Sequence, residues 1–411
     1  MTWFPLLTLV AFGVVVLSAL ARRGRAFAVF VSVLVGIYSL LACAMAPSAG
    51  PLLWVFTAFH MAVYANFVLL SRPRMRSLPF RLLLSWPSAV MVAGTLLSLP
   101  WAIAIALHFH PWVPWLPYAL AAIGLFQSLS TRRETVDLVI PGPTGRRAAN
   151  GPAGLLVPAN PDRPRTVIPH PRGTHRQARP LTIVQITDPH LGPFMSVARL
   201  RAIAARAVEA EPDLVFLTGD FLTMESQNDP DLLLEALRPL QALRGRVFAC
   251  LGNHDLEAQD IVERALRENG IELLVDASTE IETAAGLVQI VGMNFVWRDR
   301  PAHLARVSAA HPRQGEALRI VLLHDPGAFQ HLPEATGDLV LSGHTHGGQV
   351  GLVSLGLSFT MLRLFGIRIP DHGFWARGTD RMYVHKGTGH YGFPLRLGVP
   401  AEEGLIRIHR L

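Results

Sequence analysis

Hydrophobic positions follow two regimes along the chain. Up to about residue 130 they run in five nearly unbroken stretches, roughly 3–21, 26–46, 51–70, 82–107 and 112–130. Beyond residue 181 they fall into short β-branched runs, each ending in polar residues. A bilayer-spanning helix needs about 20 consecutive apolar residues. The first four stretches therefore predict spanning helices; the fifth is short and carries Pro114 and Pro117 near its start. The second regime alternates strands with helical patterns such as Val197–Glu211 and Asp231–Leu243, which predicts an α/β fold around a central sheet. Between the regimes, residues 141–180 are crowded with Pro, Arg and Gly and read as a semi-extended linker. Thr135–Ile140, just before it, is read as a strand joining the soluble sheet. The predicted organisation is a transmembrane helical domain over 1–130 with about five spans, a strand and linker over 131–180, and a soluble domain over 181–411.

Composition sharpens this division. Half of the 411 residues are apolar and 16% are charged, yet the first 130 contain no Asp or Glu. The net charge of +7 invites a nucleic-acid reading, but the arginines are badly placed for one. Arg72, Arg74, Arg76 and Arg81 sit between apolar runs, where basic residues mark a cytoplasmic flank. A second basic group lies in the linker, and an anionic lipid surface accounts for both. No nucleic-acid partner is expected; membrane lipids are. Cys43 and Cys250 lack CxxC spacing, which argues against a disulfide framework or a thiolate metal site.

Orientation follows from the loops. Arg22, Arg23 and Arg25 flank the first turn, the Arg72–Arg81 group the second, and Arg132 and Arg133 the end of the fifth run, whereas the loops near 47–50 and 108–111 carry no Arg or Lys. The positive-inside rule then predicts an outside N-terminus and a cytoplasmic C-terminal domain, in what reads as a bacterial inner membrane protein. The first stretch has no basic residue before its apolar core and is followed by further spans, so it is read as a span and not as a cleaved signal. Among the apolar runs, His60, His108 and His110 are the ionisable candidates besides Tyr. His108 and His110 are read as interfacial, as are Trp101, Trp112 and Trp115.

The polar residues that close the second-regime strands carry the chemistry. Leu181–Thr187 leads into Asp188 and His190, Leu214–Thr218 into Gly219 and Asp220, and Val247–Leu251 into Gly252, Asn253, His254 and Asp255. Ile320–Leu323 leads into His324, and Leu339–Leu341 into Gly343, His344, Thr345 and His346. Open α/β sheets bind their ligands at strand ends. Asp188, His190, Asp220, Asn253, His324, His344 and His346 form an oxygen and nitrogen donor set without thiolate, suited to Mn, Fe or Zn. Seven ligands exceed the need of one ion. They suit two ions sharing a carboxylate, which offset the charge of a phosphate ester and lower the pKa of a water between them. A histidine beside the ions, but not bound to one, can protonate the leaving oxygen.

These five motifs, in this order, resemble the calcineurin-like metallophosphoesterase superfamily over about residues 181–350. The string Ser342-Gly-His-Thr-His-Gly-Gly-Gln349 and the segment Tyr383–His390 are similar to membrane-associated bacterial members. The resemblance implies a β-sandwich flanked by helices and a dinuclear-metal hydrolase of phosphate ester or pyrophosphate bonds. It also implies residue roles: Asp188, His190 and His346 for one metal, Asn253, His324 and His344 for the second, and Asp220 as the bridge. His254 would be the proton donor, with Asp255 orienting its ring. Pro189 departs from the family, which often has Leu there. Because Pro fixes its own backbone, altered loop geometry is expected with both ligands kept.

Plainer readings apply elsewhere. His170, His175, His303, His311, His331 and His409 are read as surface or satisfied core residues. His385, His390, Arg298 and Arg377 are read as structural in preference to substrate-binding. Gly219, Gly252 and Gly343 are read as turn residues, and a helix-capping role for Asp255 stands beside the orienting one. Phe359–Ile369 is read as core in preference to a membrane-facing insertion. Membrane tethering favours an amphiphilic, lipid-linked phosphorylated substrate. The competing class is a membrane regulatory or scaffolding protein with a metal-binding but weakly active domain; the complete ligand set argues against it.

Overall fold

The computed structural model describes residues 3–110, 112–140, 157–158 and 179–410. Most of the 141–180 linker lies outside the described residues. The chain divides into two compact units: Met1–Leu129 with Met224–Asn228 and Tyr391–Leu397, and Ser130–Thr223 with Asp229–His390 and Gly398–Leu411.

The first unit is helical: α1 Trp3–Arg23, α2 Arg25–Met45, α3 Leu53–Leu70, α4 Leu78–Phe80, α5 Trp86–Leu97, α6 Leu99–Ala106 and α7 Leu116–Ser128. Gly24, at φ 91°, separates α1 from α2. Gly50 (φ 53°) and Pro51 break the run between α2 and α3. A π turn over Arg81–Ser85 links α4 to α5. Trp3–Arg23, Arg25–Leu70 and Leu78–Leu97 are long and apolar enough to cross a membrane; Leu116–Ser128 is shorter. Small and aromatic residues such as Ala11, Val15, Val35, Ala42 and Tyr64 pack inward, whereas Leu6, Leu9, Leu17, Phe30 and Leu40 are exposed. That apolar exterior is what a lipid solvent permits. Buried His60 has both ring nitrogens engaged, Nε2 with the Thr8 hydroxyl at 2.9 Å and Nδ1 with the Tyr38 hydroxyl at 2.8 Å. The arrangement ties three helices together and satisfies a polar group in an apolar bundle.

Among the described residues, the second unit contains thirteen strands: β1 Thr131–Ile140, β2 Val157–Pro158, β3 Leu181–Ile186, β4 Leu214–Leu217, β5 Val247–Ala249, β6 Glu272–Leu273 and β7 Ala277–Thr283, then β8 Gly286–Gly292, β9 Leu318–Leu322, β10 Leu339–Ser342, β11 Gly373–Arg377, β12 Asp380–Val384 and β13 Ala401–Arg410. They form two sheets, ordered β1-β13-β3-β4-β5-β6 and β2-β11-β12-β10-β9-β8-β7. The strand expected at Thr135–Ile140 is present, extended back to Thr131 and paired in parallel with β13. Strand alternation distributes the core. Ile183, Leu214, Phe216 and Phe248 of the first sheet share one apolar cluster with Ile290, Leu318, Ile320, Leu339 and Leu341 of the second. Their neighbours Ile186, Val215, Leu217 and Val247 pack instead with α8 Val197–Glu209, α9 Leu232–Leu237 and α10 Gln259–Glu268. Over the second sheet, α11 Arg300–Ala310 contributes Leu304 and Val307 to a cluster with Val291, Val321 and Val340. Ser196 caps α8, its hydroxyl accepting from the Arg199 amide at 3.2 Å. The helical turn α12 Met361–Leu364 lies in the segment between β10 and β11. Parallel pairing of β3, β4 and β5, and of β8, β9 and β10, places their C-terminal ends side by side.

Candidate metal centre

Each ligand-type side chain leaves the C-terminal end of a parallel strand, on a turn whose backbone is specialised. Asp188, His190, Asp220, His344 and His346 all have positive φ, between 45° and 69°. Such values are unfavourable for residues with a Cβ and persist where the surroundings enforce them, typically at functional sites. The enforcement is visible. The Asp188 and His190 amides donate to the Gly219 and Asp220 carbonyls at 2.9 and 3.2 Å, binding the β3 and β4 turns together. Gly219 itself requires a left-handed conformation, at φ 90°. Gly252 and Gly343 do not: a Cβ there would strike the Asp220 and Asp188 carboxylates respectively. Their expected role as turn formers is thus corrected to one of clearance.

Two triads result, Asp188 with His190 and His346, and Asp220 with His324 and His344, each with ligand atoms within 4.8 Å of one another. Asp220 contacts members of both, its Oδ2 lying 3.6 Å from His190 Nε2 and 3.2 Å from His324 Nε2. His324 Nδ1 lies 2.6 Å from the Thr218 carbonyl. A carbonyl can only accept, so Nδ1 carries the proton and Nε2 is turned toward Asp220, the usual outer support of a metal-ligating imidazole. His190 Nδ1 stands 3.3 Å from the Leu222 carbonyl in the same manner. The Asp188 carboxylate accepts from the Thr187 hydroxyl at 2.7 Å and the His344 amide at 2.9 Å. Among the described residues, the buried Asn253 Oδ1 and His344 Nδ1 lack hydrogen-bond partners.

Electrostatics favour cations here. Burial, reinforced by the Asp220 charge, raises Asp188 to about 6. Burial also pushes Asp220 upward, but His324 outweighs it and holds the carboxyl well below the usual range. Conversely, burial lowers His324, yet Asp220 dominates and raises it to about 10. Burial lowers His190 to about 3 and His344 to about 4, keeping both imidazoles neutral as metal ligands must be. Two buried carboxylates, the neutral imidazoles of His190 and His344, and the unpartnered buried Asn253 Oδ1 and His344 Nδ1 fit a two-metal site of divalent ions.

His254 stands beside this cluster. Its ring centroid is 5.4 Å from that of His190, its amide donates to Asp220 Oδ1 at 2.9 Å, and its side chain is 28% exposed. Exposure distinguishes it from the buried candidate ligands. Its Nδ1 lies 3.2 Å from Glu257 Oε1, a partner that the sequence reading missed although the i, i+3 spacing was legible. The expectation that Asp255 orients the His254 ring is corrected. Asp255 Oδ2 accepts from the Asp220 and Gly252 amides at 2.7 and 2.8 Å, and Oδ1 from the Phe221 amide at 2.8 Å. It neither caps the following helix nor touches the reacting region; it clamps the β4 and β5 turns. Burial, then Asp220, raises Asp255 to about 7, against the pull of those three amides.

The late segment 385–390 also supports the site. Thr388 and Gly389 amides donate to the Thr187 and Asp188 carbonyls at 2.8 and 2.9 Å. Lys386 Nζ bridges Glu134 and Glu402 at 2.7 and 2.9 Å, and the Tyr383 hydroxyl donates to Glu402. His385 is buried, its Nδ1 accepting from the Gly387 amide at 3.0 Å, and the His390 ring packs 4.7 Å from Phe194. Arg377 is spent on the Gln330 and Leu332 carbonyls and on Asp380, and Arg298 is exposed. Pro189 leaves Asp188 and His190 together within their triad. The plainer readings of His303 and His409 agree with their carboxylate partners, Asp276 and Asp137. His311 is likewise satisfied by Ser278 and the Asp276 carbonyl.

Comparison with known proteins extends the picture. Residues 181–348 match the calcineurin-like phosphoesterase family. Phosphodiesterase YaeI of Escherichia coli is 29% identical over 236 residues, covering 56% of this chain and 83% of that protein. The uncharacterized metallophosphoesterase YkoQ of Bacillus subtilis is 33% identical over 199 residues, covering 45% of this chain and 68% of that protein. The transmembrane protein with metallophosphoesterase domain of Danio rerio is 29% identical over 241 residues, covering 54% and 52% respectively.

Proposed function

The chain belongs to the calcineurin-like phosphoesterase family and is a membrane-anchored, metal-dependent phosphoesterase; on that premise we propose that it hydrolyses phosphate ester or pyrophosphate bonds of lipid-linked substrates. The observation that carries this reading is the convergence of Asp220 on both triads. Asp188, His190 and His346 would hold one divalent ion, Asn253, His324 and His344 the other, with Asp220 shared. When bound, two such ions offset the phosphate's negative charge and make hydroxide available near neutral pH. Mn, Fe and Zn all suit the donor set.

The chain's own residues supply the rest. Thr187, Thr218 and Leu222 hold the ligand side chains in place before substrate arrives, so no reorganisation is needed during reaction. His254, partly exposed beside the cluster, donates the proton that the leaving oxygen needs, and Glu257 steadies its ring. The apolar helices, long enough to cross a membrane, support a lipid-linked substrate. The loop arginines support a cytoplasmic domain in a bacterial inner membrane.

The test is hydrolysis of bis(p-nitrophenyl) phosphate by the full chain supplied with Mn²⁺. His254→Ala is expected to lower kcat by roughly 10²–10⁴-fold, the usual worth of a general acid, with bound metal unchanged. Absence of both turnover and bound metal in the wild type would overturn the reading.

A further inference from the structure

Exposed apolar side chains in the phosphoesterase unit are concentrated in one place. Nine large hydrophobics are exposed among the described residues of 130–411, and eight of them fall within 352–369: Leu352, Leu355, Leu357, Phe359, Leu364, Phe365, Ile367 and Ile369. The ninth is Trp297. The expectation that Phe359–Ile369 is core is therefore corrected: Phe359, Leu364, Phe365, Ile367 and Ile369 face outward. A soluble surface scatters such residues singly; a contiguous set marks an interaction surface.

This lobe is held in a defined shape. The Leu352 amide donates to the Phe359 carbonyl at 2.9 Å, the Met361 amide to the Val350 carbonyl at 2.8 Å, and Ile367 to Leu362 at 2.9 Å. Its base is fixed by the buried Asp371, whose carboxylate takes the Thr360 hydroxyl and lies 3.2 Å from the Arg363 guanidinium. The Asp371 carbonyl accepts from the Thr345 hydroxyl at 2.9 Å. Thr345 stands between His344 and His346, so the lobe is bolted to the turn that carries two candidate metal ligands.

We propose that the lobe 352–369 is an interfacial element that docks into a lipid bilayer beside the metal centre. Three features select a bilayer as the occupant. The same chain carries apolar helices long enough to span one, so a bilayer is always within reach. The lobe contains no Asp or Glu, and its exposed Arg368, unlike Arg363, which Asp371 neutralises, presents the charge an anionic lipid surface attracts. Leu and Phe at turns, with Arg beside them, are the composition of segments that lie in the interface plane. Docking here fixes the height of the metal centre over the headgroups, which selects phosphates carried on lipids over phosphates in solution; this consequence rests on the hydrolase reading, the docking itself does not.

The test uses the full chain in liposomes containing about one-third anionic phosphatidylglycerol, in a Cys43→Ser background. Phe365→Cys carries an environment-sensitive NBD label, and Glu280→Cys, exposed on β7, serves as control. The Phe365 label is expected to be quenched severalfold more by doxyl-labelled lipid than the control, and to be shielded from aqueous iodide. Adding Leu355→Glu should abolish the lipid quenching while turnover of bis(p-nitrophenyl) phosphate and the circular dichroism spectrum stay unchanged. Quenching equal to the control would overturn the proposal. So would shielding from iodide without lipid quenching, which would mean that protein, not lipid, covers the lobe. A wild type that is lipid-quenched yet neither turns over the phosphodiester nor binds metal would keep the docking and remove the hydrolase reading.

Discussion

Gly389 offers a sharp test of how the metal centre is held. A Cβ on this residue would collide with the Pro189 carbonyl oxygen and press within 3.1 Å of the Asp188 carbonyl. The Gly389 amide already donates to that Asp188 carbonyl at 2.9 Å, so neither segment can retreat without breaking the bond. The Cβ would stand 2.0 Å from the Pro189 oxygen, so restoring ordinary van der Waals contact moves the 188–190 turn by about 1.5 Å. Overpacking of this kind costs about 1–3 kcal/mol, and loss of the one hydrogen bond adds about 1 kcal/mol. Function should suffer more than stability, because the displaced backbone carries Asp188 and His190 on either side of Pro189. A misplacement of about 1 Å at a reacting centre costs on the order of 10²-fold. Gly389→Ala is expected to lower kcat/KM toward bis(p-nitrophenyl) phosphate by roughly that factor and to weaken Mn²⁺ binding measured by calorimetry. The protein should remain folded, and excess Mn²⁺ should restore part of the activity. Unchanged metal affinity and kcat/KM in a folded variant would refute the claim that the 385–390 segment positions the site.

Three further outcomes are expected. Burial pushes Glu402 up, but His385, Lys386 and Tyr383 outweigh it and lower it to about 2 from 4.5; a depressed carboxyl stabilises above its unfolded pKa and loses that contribution as pH falls through 4.5 toward 2, so Glu402→Gln should cost about 3 kcal/mol at pH 7 and little near pH 2 in denaturant titrations, and an equal cost at both would be inconsistent with the pairing. Stripping divalent ions should lower the unfolding temperature of the phosphoesterase unit, since ligand at about 100 times Kd contributes about 2.7 kcal/mol; a Tm indifferent to chelator and to added Mn²⁺ would contradict the two-metal reading. Burial, then the Asp255 charge, pushes the Cys250 thiol well up, so iodoacetamide at pH 8 should modify Cys250 only after denaturation, and native-state labelling read by mass spectrometry would refute its burial.

The regime of each half was legible because it is local. Unbroken apolar stretches and β-branched runs ending in Asp, His or Asn report on their own elements, and the order of the five ligand-bearing strand ends needed no distant contact. By itself, then, the sequence determined a membrane-anchored α/β protein and which side chains would gather. Tertiary structure decided what each neighbour does. The His344 amide meets the Asp188 carboxylate across 156 positions, and Gly343 is glycine because that carboxylate occupies the space a Cβ would need. Asp255 reads from sequence as a partner for the adjacent His254, yet its carboxylate is claimed by amides of Asp220 and Phe221, over 30 residues away. Phe359–Ile369 has the composition of a core segment, and only the folded surface turns it outward. In each case local chemistry names what a side chain can do, but burial and the approach of distant backbone decide which of those options is taken.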